Sequence, residues 1–177
     1  MVIRRGTDAD AGRLAALAEG TFRDTFEADN APADMHAYCA SAYSPEIQRR
    51  QLGDSTLDTF VADDGAALIG YAQLRPGAPA VVRGPDPIEL WRFYVDRLHH
   101  GRGVALALMN AVVAAAHARG AQTLWLGVWE QNSRAQAFYR KVGFVDVGAH
   151  QFVLGTDVQT DRVMARNLVS PGDVACG

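Results

Sequence analysis

The run Val95-Asp96-Arg97-Leu98-His99-His100-Gly101-Arg102-Gly103-Val104-Ala105 constrains the fold more than any other part of the chain. It joins an apolar strand-like stretch, Ile88 to Val95, to a long helix expected from Arg102 to Arg119 and stopped by Gly120. A second strand, Thr123 to Trp129, follows that helix. Such a strand–turn–helix–strand unit places two strands in one sheet with the helix crossing one face.

The flanking segments complete the architecture. Val2 to Arg5 suits an edge strand, and Thr7-Asp8-Ala9-Asp10 reads as a helix start with a hydroxyl and an acid three residues later. Leu14, Leu17, Ala18, Phe22 and Phe26 recur near helical spacing up to the break at Asn30-Ala31-Pro32. Met35, Tyr38, Cys39 and Ala42 mark a second helix, and Ser44-Pro45-Glu46 opens a third. Thr59 to Ala62 and Ala67 to Leu74 form a hairpin around Asp63-Asp64-Gly65, and the proline-rich Arg75 to Pro87 is a loop. Asn132 to Val142 is a helix closed by Gly143, and Phe144 to Leu154 and Arg162 to Leu168 are two more strands. The expected fold is one α/β (α+β) domain over residues 1–169, a mixed sheet with helices on both faces, and a frayed tail from Ser170 to Gly177.

Composition narrows the function. Asp+Glu outnumber Lys+Arg by 20 to 17, so the basic excess usual in a nucleic-acid binder is missing. No apolar run reaches the roughly 18 residues of a membrane span, and the N-terminus has no secretory h-region, so a cytoplasmic protein is expected. Cys39 and Cys176 lie far apart, and no Cys/His ligand spacing occurs, so neither a structural disulfide nor a metal site is expected.

A helix opened by Gly101 and Gly103 presents unpaired N–H groups and the positive end of its dipole, and glycine lets a ligand reach the main chain. A pyrophosphate is the natural guest; the alternative is a glycine turn with no ligand. The third glycine of a dinucleotide fingerprint is missing, since residue 106 is Leu, and so is the Gly-Lys-Ser/Thr of a P-loop.

His100-Gly101-Arg102-Gly103-Val104-Ala105 resembles motif A of the GNAT superfamily of N-acetyltransferases, Q/R-x-x-G-x-G/A, with His in its first position. Asn132-Ser133-Arg134-Ala135-Gln136-Ala137-Phe138-Tyr139-Arg140-Lys141-Val142-Gly143-Phe144 is similar to that family's N-x-x-A-x-x-F-Y-x-K-x-G-F. Trp125 to Glu130, Gly148 to Gly155, Gln159 to Asp161, and Thr21 to Phe26 with Asn30 look like bacterial spermidine/spermine N-acetyltransferases of the Pai type. The resemblance implies a mostly antiparallel central sheet with splayed parallel strands. It also implies acetyl-CoA as cosubstrate and a small-molecule amine, a polyamine, as acceptor. It implies no nucleic acid, membrane or metal, and is compatible with a homodimer.

The same resemblance distributes roles. Phe93, Tyr94 and Val95, with His100, Gly101, Arg102, Gly103, Val104 and Ala105, would hold the coenzyme, joined by Asn132 and Arg140. The main chain of Phe93 and Val95 would pair with the pantetheine arm, and Val95 N–H would polarise the thioester carbonyl. Tyr139 would protonate the departing sulfur; the alternative is a core tyrosine. Glu89, six residues before Val95, would be the base, and by alternation it shares a face with Trp91, Phe93 and Val95; otherwise it is a solvated carboxylate. Asn132 is equally a helix cap, and Arg102 and Arg140 are equally solvated charges. Phe26, Glu27 and Tyr38, in range with Phe22, Asp29 and Tyr43, would line the amine pocket. Other acceptors compatible with the residues are a protein N-terminus or an aminoglycoside. A coenzyme-binding module without catalysis and a generic α/β binding protein are the readings of another class.

Overall fold

The computed structural model describes residues 1–154 and 157–168; the expected frayed tail and Cys176 lie outside the described residues. A seven-stranded sheet runs through the molecule in the order β1-β2-β3-β4-β5-β7-β6. Its strands are β1 (Val2–Arg5), β2 (Asp58–Asp63), β3 (Leu68–Pro76), β4 (Pro87–Val95), β5 (Thr123–Trp129), β6 (Val145–Leu154) and β7 (Asp157–Asn167). Every neighbouring pair is antiparallel except β4 with β5, the pair joined by the crossover helix. The helices are α1 (Ala11–Phe26), α2 (Pro32–Ala42), α3 (Pro45–Gly53), α4 (Val104–Ala118) and α5 (Ser133–Lys141). Among the described residues no helix is long and apolar enough to cross a membrane.

Two cores form on opposite faces of the sheet. On one, Leu108, Met109, Val112 and Ala116 of α4 and Tyr139 of α5 pack with Ile88, Leu90, Leu124, Leu126, Phe144 and Met164. On the other, Leu14, Leu17, Ala18 and Phe22 of α1 and Met35 and Cys39 of α2 pack on Val61, Leu68 and Tyr71. The apolar stripe expected for α1 is therefore the stripe it buries. Cys39 is a buried free thiol, its pKa pushed up by burial.

Several boundaries differ from expectation, β3 among them, which runs on to Pro76 in the expected loop, and two of the differences have a local cause. The helix expected from Arg102 starts at Val104, because Gly101 and Gly103 have φ of +75° and +82°, values outside the helical region. The last strand begins at Asp157 rather than Arg162, since its ladder with β6 continues to the pair Leu154–Asp157. Polar residues in that hairpin carry no apolar alternation, so periodicity could not show the extension.

A charge network ties the first strand to the first helix. Arg4 Nη1 donates to Asp10 Oδ2 at 2.7 Å and Arg4 Nη2 to Asp63 Oδ2 at 2.7 Å. Asp10 Oδ2 also accepts the Thr7 N–H at 2.9 Å, reaching back across the helix start. The hydrogen bond from Arg4 holds the Asp10 carboxyl well below the usual carboxylate range, and Asp63, bonded by Gly65 N–H and then Arg4, is lowered to about 2. Both folded values lie below the unfolded ones, so their stabilisation is complete above about pH 4 and is lost as pH falls through the depressed values. Asp10→Asn should cost about 1–2 kcal/mol at pH 7, a lost cap plus a partly solvent-screened pair. Denaturant unfolding at pH 7, 4 and 2.5 should show a shallower acid loss in the variant than in the parent.

Candidate active site

The site is built on β4. Against β3, Val95 lies opposite Gly70, Tyr94 opposite Tyr71 and Arg92 opposite Gln73, but the next pair is Leu90 with Leu74. Trp91 is an extra residue, a bulge that bends the strand and reverses its alternation. Phe93 and Val95 consequently join Ile88 and Leu90 in the core under α4 and α5. Tyr94 packs on the α1–α2 side, stacked on Tyr71 with centroids 5.7 Å apart. Glu89, between Ile88 and Leu90, faces that side as well. The expectation that Glu89 shares a face with Phe93 and Val95 is corrected: the bulge puts the carboxylate and the two apolar side chains on opposite sides of the sheet.

The same bend opens the sheet. β4 and β5 pair only at Pro87–Thr123, Ile88–Leu124 and Glu89–Trp125, and beyond them the strands part. Asp96 N–H donates to Ile69 O at 3.0 Å, so Asp96 and Tyr94 turn their main-chain groups toward β3. By alternation Phe93 and Val95 turn theirs into the gap. His100 Nε2 donates to Val95 O at 2.8 Å, bracing the turn and occupying that carbonyl while leaving Val95 N–H. His100 was expected at a phosphate and instead holds the strand end, with only Nδ1 left to meet a ligand. Tyr94 likewise departs from its expected coenzyme contact, since its main chain belongs to β3 and its ring to the opposite face.

At the far end of the gap stands the N-terminus of α4. Its first intrahelical bond is Ala107 N–H to Gly103 O, 3.0 Å, so the N–H groups of Val104, Ala105 and Leu106 have no partner within the helix. A Cβ built on Gly101 or Gly103 would meet nothing within 4 Å, so the space before these donors is open. Arg102 is exposed beside them. Donors, dipole and open approach together fit a diphosphate group.

α5 closes the gap from the other strand. Asn132 caps it, Oδ1 accepting the Ala135 N–H at 3.0 Å, and Arg140 is exposed with Nη2 donating to Gln136 Oε1 at 3.0 Å. Tyr139 is buried, its ring 6.1 Å from that of Phe93 and 5.7 Å from that of Phe144. Burial pushes its phenol far up, so it stays protonated at neutral pH, and no described group hydrogen-bonds its hydroxyl.

Across the sheet lies an aromatic recess. Phe22 stacks on Tyr38 at 4.6 Å and lies 5.5 Å from Tyr43, and Phe26 lies 5.5 Å from Trp129 of β5. All but Trp129 are aromatic residues expected to line the amine pocket. The carboxylates expected with them are not assembled: Glu27 is exposed and paired with Arg23 at 3.0 Å, and Asp29 is exposed. Glu89 is buried and holds Arg75, whose Nη2 donates to Oε1 at 3.1 Å. The guanidinium carbons of Arg75 and Arg92 both lie over the Trp91 ring, at 4.3 and 4.0 Å. The loop following β3 forms a wall, fixed where Trp125 Nε1–H donates to Gly77 O at 2.7 Å and Val82 packs on Trp125 and Val163. Trp91, Arg92 and Tyr71 escape a reading by motif. Their aromatic and apolar neighbours read as core, and only a cation at position 92 in a mostly apolar strand signals anything else.

Three comparisons bear on this arrangement. The sequence profile of the acetyltransferase (GNAT) family matches residues 11–144. An uncharacterized N-acetyltransferase of Mycobacterium tuberculosis is 37% identical over 164 residues, covering 92% of this chain and 99% of that protein. The crystal structure of the PaiA N-acetyltransferase of Thermoplasma acidophilum in complex with coenzyme A superposes with a TM-score of 0.77 at 20% identity, covering 94% of this chain and 98% of the other. An aminoglycoside 6′-acetyltransferase of type Ii superposes with a TM-score of 0.71 at 18% identity, covering 96% and 99%. At such identities the structural likenesses speak for the fold alone.

Proposed function

This chain belongs to the acetyltransferase (GNAT) family, and on that premise we propose that it transfers the acetyl group of acetyl-CoA to the primary amine of a small molecule. The observation that carries the reading is the parted pair of strands. Main-chain groups of Phe93 and Val95 face the gap on a line leading to the unpaired N–H groups of α4, while an aromatic recess meets the gap from the other face. The α4 N-terminus would hold the pyrophosphate, and Phe93 and Val95 would pair with the pantetheine amides. The bound coenzyme supplies an activated thioester carbonyl and a thiol leaving group.

Each protein group then has a task set by where it sits. Val95 N–H points into the gap and can donate to an oxygen that gains negative charge there. The acceptor must lose a proton: an amine of pKa ~10.4 is about one part in a thousand neutral near pH 7.4, a cost of roughly 4 kcal/mol. Glu89, on the amine side where the strands begin to part, receives that proton through water, and Arg75 fixes its orientation. Tyr139 keeps its own proton at Oη because burial disfavours the phenolate. Its proton would pass to the departing sulfur only as the carbon–sulfur bond breaks, and the proton shed by the acceptor nitrogen on amide formation would restore the phenol.

The Pai-type likeness suggests spermidine or spermine as acceptor. The faces of Phe22, Phe26 and Tyr38 support that choice, since aromatic rings attract ammonium groups. A thiol-release assay with acetyl-CoA against spermidine, spermine, a peptide N-terminus and an aminoglycoside tests the activity. Release with an amine present and none without it is expected. Coenzyme A binding with no release for any primary amine would leave a binding module without catalysis.

Two substitutions test the assignments. Gly103→Asp sets a carboxylate before the α4 donors at a φ of +82° and should weaken coenzyme A binding at least about tenfold by calorimetry, with the circular dichroism retained. Unchanged affinity would remove the pyrophosphate site from α4. Tyr139→Phe keeps the ring packing and removes the hydroxyl, so kcat should fall roughly 10- to 1000-fold with KM for acetyl-CoA little changed. Parental turnover would return Tyr139 to the core.

A further inference from the structure

Arg92 is a cation in the interior without an anion. Its side chain is buried on β4, with Nη1 donating to Gln51 Oε1 at 3.0 Å and to Gln73 Oε1 at 3.1 Å. Its guanidinium carbon lies 4.9 Å from the Tyr43 ring and 4.0 Å from that of Trp91. All of these partners are neutral. Among the described residues no carboxylate forms an ion pair with it, and Glu89 on the same strand is taken by Arg75. Two guanidinium groups and one carboxylate thus share the neighbourhood of Trp91, leaving an excess of positive charge. Burying a guanidinium in that state costs several kcal/mol unless an anion arrives to offset it.

The surroundings are built of donors. The Arg92 charge is close enough to Tyr38, Tyr43, Tyr71 and Tyr94 to oppose the rise that burial imposes on each phenol. The Tyr71 hydroxyl is fully buried and makes no hydrogen bond of good geometry among the described residues, with the Tyr43 phenol beside it. Tyr38, Trp91 and Tyr94 are only partly buried, so these rings form the boundary between the group and solvent. A guanidinium fork beside phenolic O–H groups is the donor set that carboxylates take up.

We propose that Arg92 and Tyr71 form an anion subsite of the acceptor recess, so that the acceptor is a primary amine that also carries a carboxylate. The inference rests on the acetyltransferase reading and, for the acceptor alone, sets an amino acid of this kind in place of the polyamine that the Pai-type likeness suggests. Arg92 precedes Val95 by three residues, about 10 Å along a strand, so the carboxylate and the reacting amine are separated by a chain of several carbons and not by one. A second ammonium in that position, as in spermidine, would meet a like charge.

The test compares 6-aminohexanoate with hexylamine, which differs in lacking the carboxylate, and with spermidine. In thiol release, kcat/KM for 6-aminohexanoate should exceed that for either amine at least about tenfold. The readout for variants is the ratio of acid to hexylamine. Arg92→Gln should bring it near one, and Arg92→Lys, which keeps the charge but loses the fork, should leave it between. Tyr71→Phe removes a buried hydroxyl that makes no hydrogen bond of good geometry, so the fold should not suffer, yet the ratio should fall. Equal values for acid and hexylamine in the parent would overturn the proposal. So would an unchanged ratio in Arg92→Gln and Tyr71→Phe, with a lowered melting temperature in the former marking Arg92 as a brace. Preference for spermidine would do the same while leaving the transferase intact. Should no amine release thiol, the transferase reading falls, and calorimetry of 6-aminohexanoate and hexylamine on the coenzyme A-bound protein still decides the anion contact.

Discussion

The extra residue at Trp91 is the constraint on which the rest of the site depends. An unbroken ladder would keep β4 straight, extend its pairing with β5 and satisfy the main chain of Phe93 and Val95 within the sheet. The bulge ends that pairing after Glu89 and assigns the strand's side chains to two sides. Apolar groups go toward α4 and α5, and a carboxylate, a guanidinium and two aromatic rings go toward α1 and α2. One irregularity thus sets apart the side chains that face α4 and α5 from those that face α1 and α2, and parts the sheet between β4 and β5.

The helices on the two faces do different work. α4 contributes its end: the two left-handed glycines stop the chain from entering the helix early and keep the first donors uncovered. α1 and α2 contribute flanks, with Phe22, Phe26 and Tyr38 extending their apolar contacts beyond the core to form the recess. The charged cluster of Arg4, Asp10 and Asp63 ties α1 to the sheet edge, so the recess wall is fixed far from the chemistry.

Legibility in the sequence followed the range of the interactions. Helix stripes, the cap at Thr7 to Asp10, the hairpin turn at Asp63 to Gly65 and the glycine-opened helix are set within a few residues, and all were readable. Gly101, Gly103, Asn132 and Tyr139 occupy places consistent with the motifs that singled them out. The bulge was not readable, because it exists only in the register between β3 and β4 and nothing in Leu90-Trp91-Arg92 marks it. Glu89 was accordingly placed on the wrong face by a correct rule of alternation. Glu27 looked like a pocket carboxylate because its partner, Arg23, lies one helical turn back and claims it outside the recess. Arg92 was hidden for the opposite reason: its neutral partners come from α3, β3 and the end of α2, which only tertiary structure assembles.

The short ladder between β4 and β5 also divides the sheet mechanically. The strands β1 to β4 and the strands β5 to β7 are two hydrogen-bonded plates joined along a seam of three residue pairs, with the crossover helix bearing much of the remaining connection. A guest lying in the parted strands and bonding to both edges would act as a rung spanning that seam. Occupancy would then be felt as stiffness across the entire sheet, because the two plates would gain a connection along the line where they part.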